Sequence, residues 1–263
     1  MAERLDKYLV DLGLAKSRER AKALIKEGKV LVNGVPADRP SVTVGDGDKV
    51  TADDDLKYVG RGALKLIKAL DCFGIDLKGC ICADLGASTG GFTQVMLERG
   101  AAKVYAVDVG HGQLDESLAS DSRVVNIEGT NVKDISDKEI PEKVPFISAD
   151  LSFISLRSVI GTVNELLSAD GRAVVLIKPQ FEAGRAALNK NGIVKDKKDH
   201  IRVLNELSAA FQSCGLFITG LTFSPVTGGS GNIEYLALLE RVTGKAVTDF
   251  TGTVESAFLE LRK

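Results

Sequence analysis

Apolar residues recur at helical spacing near the start of the chain. Leu5, Tyr8, Leu9 and Leu12 fall at i, i+3, i+4 and i+7, one face of an amphipathic helix. Gly13 ends it. Ser17 is placed to cap a second helix running to about Glu27, with Gly28 as its stop. There Ala21, Leu24 and Ile25 can pack, whereas Arg18, Lys22 and Lys26 stand four apart in one stripe. KVLVNGVPA reads as a hairpin turning at Asn33-Gly34. SVTVGDGDKVTA adds short strands around a Gly-Asp turn. The stretch DDDLKYVGRG, residues 53–62, is charged and lacks apolar periodicity. It predicts a boundary, with domains at 1–57 and 58–263.

Beyond residue 61 helix and strand patterns alternate. ALKLIKAL is a short helix, ICADLG an apolar run ending at a Gly-rich turn, GFTQVMLERG a helix with a Gly stop, and VYAVDV a second apolar run ending in acid. Further apolar runs lie at 124–128, 145–151 and 172–179, with a helix expected over ISLRSVIGTVNELL. HIRVLNELSAAFQSCG is the next helix, and LFITGLTFSP and IEYLALLERV close the domain as two strands. Such alternation predicts an α/β fold, a mostly parallel sheet covered on both faces. Ligands then sit at the C-terminal edge of its parallel strands.

Composition narrows the classes. Of 263 residues, 44% are hydrophobic and 27% charged, which excludes disorder as the main state. No stretch approaches the length of a transmembrane span, and MAERLDKYL lacks the apolar core of a signal peptide. The four cysteines, without a C-x-x-C pair, read as reduced thiols in a cytoplasmic protein. The net charge of −2 hides a split: residues 16–30 carry six basic and two acidic side chains, a local contact surface on a near-neutral protein. His111 and His200 make no metal site with the isolated cysteines. Asp53-Asp54-Asp55 reads as a solvated linker, and KDKK at 195–198 as an exposed or mobile loop.

Arg4-Leu5-Asp6, Ser17-Arg18, Ala21, Ile25, Gly28, Val30, Val32-Asn33-Gly34 and Gly45-Asp46 together resemble the S-four RNA-binding domain, an α+β unit that presents a basic helix and loop to structured RNA. The resemblance implies Arg4, Lys7, Lys16, Arg18, Arg20, Lys22 and Lys26 as RNA contacts. Affinity should then fall with salt.

The loop Asp84-Leu85-Gly86-Ala87-Ser88-Thr89-Gly90-Gly91 follows the first strand of the larger domain and opens a helix. Its glycines let the backbone approach a ligand closely. Asp108 ends the second strand, where a carboxylate can hold ribose hydroxyls. The G-x-G spacing of a dinucleotide loop fails after Gly86. Asp84 would repel a pyrophosphate but could accept from an ammonium group, which favours S-adenosylmethionine (SAM). DLGASTGGFT and VDVGHGQL resemble the cofactor motifs of the Rossmann-like SAM-dependent methyltransferase fold, with six parallel strands and a seventh antiparallel. That resemblance implies Asp84, Gly86, Ala87, Ser88, Gly90, Gly91, Phe92, Asp108 and Val109 at the cofactor, and Asn131 or Asp150 near the adenine or the methyl.

Strand-end residues bear on the methylated group. After the fourth strand the chain reads Asp150-Leu151-Ser152-Phe153, not the N/D-P-P-Y/F of base-amino methyltransferases. No cysteine stands where a cytosine-carbon nucleophile would; Cys82 lies inside the first apolar strand. What remains is Asp150, Lys178 before Pro179, Glu234 at the start of the last strand, and Lys65 on the helix before the first. If the last strand is antiparallel, all four can converge beside the cofactor. A Lys–Asp–Lys–Glu set suits a ribose 2′-hydroxyl, whose proton must leave as the methyl arrives. A lysine of lowered pKa can serve as base. Lys178 is assigned as base, Asp150 and Glu234 as orienting groups, and Lys65 as the cation that positions substrate.

The order Lys65, Asp150, Lys178, Glu234 resembles the FtsJ-like ribose methyltransferases. With YVGRGALKL, ADLSFISL, KPQFEAGR and GNIEYL, and the N-terminal unit, nearly the whole chain resembles the TlyA family. Members are known as hemolysins and as ribosomal RNA 2′-O-methyltransferases acting on cytidines. The resemblance implies SAM as cofactor and ribosomal RNA or a ribosomal subunit as partner. The short N-terminus resembles the family's shorter form, expected to modify large-subunit RNA. Oligomeric state is open. Two other classes compete: a membrane-active cytolysin, for which no long apolar segment or alternating transmembrane strand pattern speaks, and a non-catalytic ribosome-assembly factor, against which Lys178, Asp150 and Glu234 argue.

Overall fold

A computed structural model describes residues 3–12, 14–15, 17–45, 47–52 and 58–261. Gly13, Lys16, Asp46 and Asp53-Asp54-Asp55, each assigned a part above, lie outside them. The chain divides into two compact units, Met1–Arg61 and Gly62–Lys263.

The first unit runs β1 (Glu3–Arg4), α1 (Leu5–Asp11), α2 (Arg18–Lys26), β2 (Val30–Val32), β3 (Val35–Pro36), β4 (Thr43–Val44) and β5 (Val50–Ala52). β1 pairs with β4, and β2 lies between β3 and β5, all antiparallel. The Ser17 hydroxyl accepts from the Arg20 N–H and caps α2. Asn33 and Gly34 both have positive φ, 54° and 82°, as a two-residue type I′ hairpin turn requires. Leu5, Leu9, Ala21, Leu24, Ile25, Val30 and Val44 form the core.

The second unit runs α3 (Ala63–Phe73), β6 (Ile81–Leu85), α4 (Gly91–Glu98), β7 (Lys103–Asp108), α5 (Glu116–Ala119), β8 (Val124–Glu128), β9 (Val144–Ala149), α6 (Ile160–Leu166), β10 (Leu167–Ile177), α7 (Pro179–Glu182), α8 (Lys197–Ser213), β11 (Phe217–Phe223), β12 (Tyr235–Glu240) and α9 (Thr251–Leu261). Its sheet has the order β11-β12-β10-β9-β6-β7-β8. β12 is antiparallel to both neighbours, and the remaining strands run parallel to one another, as the α/β reading expects. Chain order reverses direction at β6. The sequence therefore places a ligand crevice at the carboxyl ends of β6 and β9.

Three local expectations differ. The helix expected over ISLRSVIGTVNELL is broken: a 3-10 turn at Leu156–Ser158, capped by Ser155, precedes the seven-residue α6. KDKK is exposed but only its first half is loop, because the Asp196 carboxylate accepts from the Lys198 N–H and α8 starts at Lys197. The domain does not close on a strand: α9 follows, with Val254 and Ala257 buried. The apolar spacing Phe250, Val254, Ala257, Phe258, Leu261 carries that helix.

Candidate active site

The turn after β6 is shaped by what lies over it. Gly86 has φ +87°, and a Cβ there would stand 2.5 Å from the Asp150 carbonyl oxygen, so only glycine fits. Ser88, with φ 48°, donates its N–H to Asp108 at 2.8 Å, and the other Asp108 oxygen accepts from the Gly110 N–H at 2.8 Å. One carboxylate thereby ties the β6 turn to the β7 turn. Together they open a cavity of about 540 Å³ between the ends of β6, β7 and β9, within the range of small-molecule sites.

Of the residues assigned to the cofactor, Gly86, Ser88, Asp108, Val109 and Asn131 line this cavity, as does Asp150. Ala87, Gly90, Gly91 and Phe92 are buried behind the turn and do not line it. Asp84, expected to meet an ammonium group, does not line it either. Its carboxyl is wholly buried, and its two oxygens accept from Thr93 Oγ1 at 2.8 Å and Ser148 Oγ at 2.9 Å. Burial pushes its pKa up to about 6, against the opposing pull of those hydroxyls. Asp84 joins β6, α4 and β9 beneath the turn.

Sequence reasoning passed over Gln113, Thr130, Leu151, Ser152 and Phe153, which also line the cavity. Gln113 is held by Glu128 at the end of β8. That carboxylate accepts from the N–H groups of Gln113 (2.7 Å), Gly112 (2.9 Å) and Leu114 (3.0 Å). The bonds from Leu114, Gln113 and Gly112 bring its pKa down to about 2. Only the fold joins Glu128 to a loop some fifteen residues earlier.

A second cavity, of about 470 Å³, shares Ser152 and Phe153 with the first. Lys65, Lys178 and Glu234 line it. Lys178 Nζ lies 2.6 Å from Asp150 Oδ1 and donates to Ser152 Oγ at 2.9 Å. Lys65 Nζ reaches Glu234 Oε2 at 2.8 Å and Asp150 Oδ2 at 3.5 Å. Because β12 runs antiparallel, its start stands at the edge where β9 and β10 end, and the four residues converge. Burial pulls the Lys65 ammonium down, but Asp150 and Glu234 outweigh it and its pKa is raised. Glu234 is 3% exposed and Lys178 9%. Phe153 stands out, with φ 61° and 91% exposure. A bulky side chain there is strained, and its ring centroid sits 5.1 Å from that of Phe181. Cys82 is buried and its thiol is pushed up to about 12 by that burial, far from a reactive thiolate.

In the first unit the basic residues divide. Asp6 is fully buried, and Arg4 Nε at 2.9 Å and Arg18 at 2.7 Å both bind it. The Arg4 bond, with help from Arg18, overcomes desolvation and holds the Asp6 carboxyl down to about 2. The sequence stripe thus contains one arginine committed to the fold. Lys7 pairs with Glu3 and Asp11, and Arg20 with Glu27. Lys22 and Lys26 are exposed, and no ion pair joins them among the described residues. Lys16 lies outside those residues.

The FtsJ-like methyltransferase family model matches residues 58–241, and the S4 domain model residues 3–50. The chain is 43% identical over 247 residues to the 16S/23S rRNA (cytidine-2′-O)-methyltransferase TlyA of Mycobacterium tuberculosis, covering 93% of this chain and 92% of that one. It is 43% identical to Hemolysin A of Brachyspira hyodysenteriae, covering 89% and 98%. The solved structure of a hemolysin-named protein from Streptococcus thermophilus superposes with a TM-score of 0.76 at 40% identity, covering 99% of this chain and 97% of that one. An S-adenosylmethionine dependent methyltransferase structure from Listeria monocytogenes, 16% identical with a TM-score of 0.52 over 66% of this chain and 97% of that one, shares the fold.

Proposed function

The chain belongs to the TlyA family of FtsJ-like methyltransferases, and from that premise we propose that it methylates a ribose 2′-hydroxyl, that of a cytidine, in ribosomal RNA, with the N-terminal S4 domain docking the RNA. The observation that carries the reading is the cluster Lys65, Asp150, Lys178 and Glu234, set beside a cofactor-sized cavity.

SAM fits the larger cavity by its donor set. Asp108 would accept from the ribose hydroxyls, Val109 and Leu151 would offer apolar walls to the adenine, and the Gly86 backbone would allow close approach. When bound, SAM supplies an electrophilic methyl on a sulfonium. The residues of the chain do the rest. Lys178 Nζ is held by Asp150 at 2.6 Å and donates to Ser152 at 2.9 Å. Lys178 lines the second cavity and serves there as the base that takes the proton from the 2′-hydroxyl as the oxygen is alkylated. Asp150 offsets the ammonium that forms. Lys65, held between Asp150 and Glu234, keeps a fixed positive charge against the developing oxyanion. The exposed ring of Phe153 over Phe181 offers a stacking face for the target base.

Lys22 and Lys26 are the cations of α2 best placed for RNA phosphates, with Arg4 and Arg18 holding the helices that present them. We assign the protein to the cytoplasm because its substrate is there. Among the described residues no helix is long and apolar enough to cross a membrane. The apolar positions Leu5 and Leu9 of α1 are buried in the core of its own unit, as in an ordinary core-facing helix.

The test mixes purified protein, tritiated SAM and ribosomal subunits lacking the modification, with Lys178→Ala in parallel. Label is expected on a ribose of a cytidine and lost in the variant, with SAM binding retained. Label on a base, or undiminished transfer by Lys178→Ala, would overturn the assignment.

A further inference from the structure

One buried polar atom of a residue that lines the second cavity has no hydrogen-bond partner among the described residues. Gln180 stands in the short helix α7, two residues beyond Lys178. Its Nε2 donates to Glu234 Oε1 at 3.2 Å. Its Oε1 is buried and has no hydrogen-bond partner among the described residues. The amide orientation follows from the ion pair of Glu234 with Lys65 at 2.8 Å: a carboxylate accepts, so a flipped amide would set oxygen against oxygen. The orphan is therefore an acceptor. The buried polar side chains around it are paired. Lys178 binds Asp150 and Ser152, Glu234 binds Lys65, and Asn232 accepts from the Val194 N–H and donates to the Gly192 carbonyl. A buried acceptor left unmatched in an otherwise satisfied site calls for a donor brought by the ligand.

Resting on the ribose-methylation reading above, we propose that Gln180 is a specificity-determining residue whose side-chain oxygen accepts a hydrogen bond from the exocyclic amino group of the target base. The target's own 2′-hydroxyl is not available to it, because its proton goes to Lys178 and its oxygen to the methyl. The base is drawn to this wall by the rings of Phe153 and Phe181, and Phe181 adjoins Gln180 in the chain. An amide oxygen beside a stacked pyrimidine discriminates cytosine, which offers an amine at its edge, from uracil, which offers a carbonyl there. Pockets built to pair a polar group reject analogues that lack it far more strongly than pockets reject a missing methylene.

The experiment uses ribosomal subunits reconstituted with RNA whose target cytidine is replaced by 2-pyrimidinone riboside, which lacks only the amino group. Single-turnover transfer is compared for the full-length protein and for Gln180→Met, a variant of similar volume. Wild type is expected to lose about tenfold or more in kcat/KM on the amine-free target. Gln180→Met is expected to treat both targets alike, with SAM affinity unchanged. Equal wild-type rates on the two targets would overturn the proposal, as would full discrimination retained by Gln180→Met. A third substrate carries a 2′-deoxy sugar on the neighbouring nucleotide. Loss confined to it and abolished by Gln180→Met would assign the acceptor to a ribose and likewise refute the base contact. Failure of wild type on the unmodified cytidine target would instead strike the methylation reading.

Discussion

Replacing Lys65 by Met tests whether the four-residue cluster is an electrostatic unit or a set of neighbours. Lys65 stands 2.8 Å from Glu234 and 3.5 Å from Asp150. At an effective dielectric near 20 these separations correspond to gross attractions of about 6 and about 5 kcal/mol, largely offset by the desolvation of the ions. The two carboxylates are not left alike by the substitution. Asp150 keeps Lys178, whereas Glu234, 3% exposed, keeps among the described residues only the Gln180 N–H. Breaking a buried pair by removing one partner costs about 3–5 kcal/mol. For a domain of this size that lowers Tm by roughly 6–20 °C. The same reasoning requires rescue: Lys65→Met with Glu234→Gln removes the stranded charge and should recover most of the loss. Urea unfolding of the single and double variants at pH 7 measures both. A loss under about 1 kcal/mol for Lys65→Met, or a double variant no more stable than the single, would refute the reasoning.

Two further outcomes follow from groups away from the lysines. Asp84, with its pKa raised to about 6, keeps its proton in the folded state where the unfolded chain has lost it. Its contribution is present in full below about pH 4 and is lost as pH rises through about 6, a change of about 3 kcal/mol. Asp84→Asn should flatten that part of the stability profile, and parallel profiles from pH 4 to 7 would contradict the burial argument. Glu128→Gln replaces a carboxylate that holds three N–H groups of the Gln113 loop. SAM affinity by calorimetry should drop severalfold with kcat at saturating SAM unchanged. Since the Glu128 pKa is about 2, wild-type affinity should show no Glu128 titration above about pH 4.

Much of the candidate site was legible because its signals are local. The glycines after β6, the acid ending β7 and a lysine between VVLI and proline are each written within a few residues. Ser17 and Asn33-Gly34 spell a cap and a turn by their own short-range chemistry. Other features had no such signature. Asp84 reads like a ligand-facing acid until Thr93 and Ser148 close over it. Arg18 reads like one member of a stripe until Asp6, twelve residues away, claims it. Glu128 meets the Gln113 loop, and Gln180 meets Glu234, only because the fold brings them together.

Periodicity, caps and turn residues determined from the sequence alone the two-unit plan, the alternation of helix and strand, and the identity of the strand-end charges. These depend on interactions within one turn or one strand, which sequence spacing encodes directly. Only the tertiary structure decided which of those charges face one another. The insertion of β12 antiparallel between β10 and β11 brings Glu234 to Lys65 across 169 positions. That meeting is set by packing of the whole sheet, in which burial and pairing depend on every crossover at once.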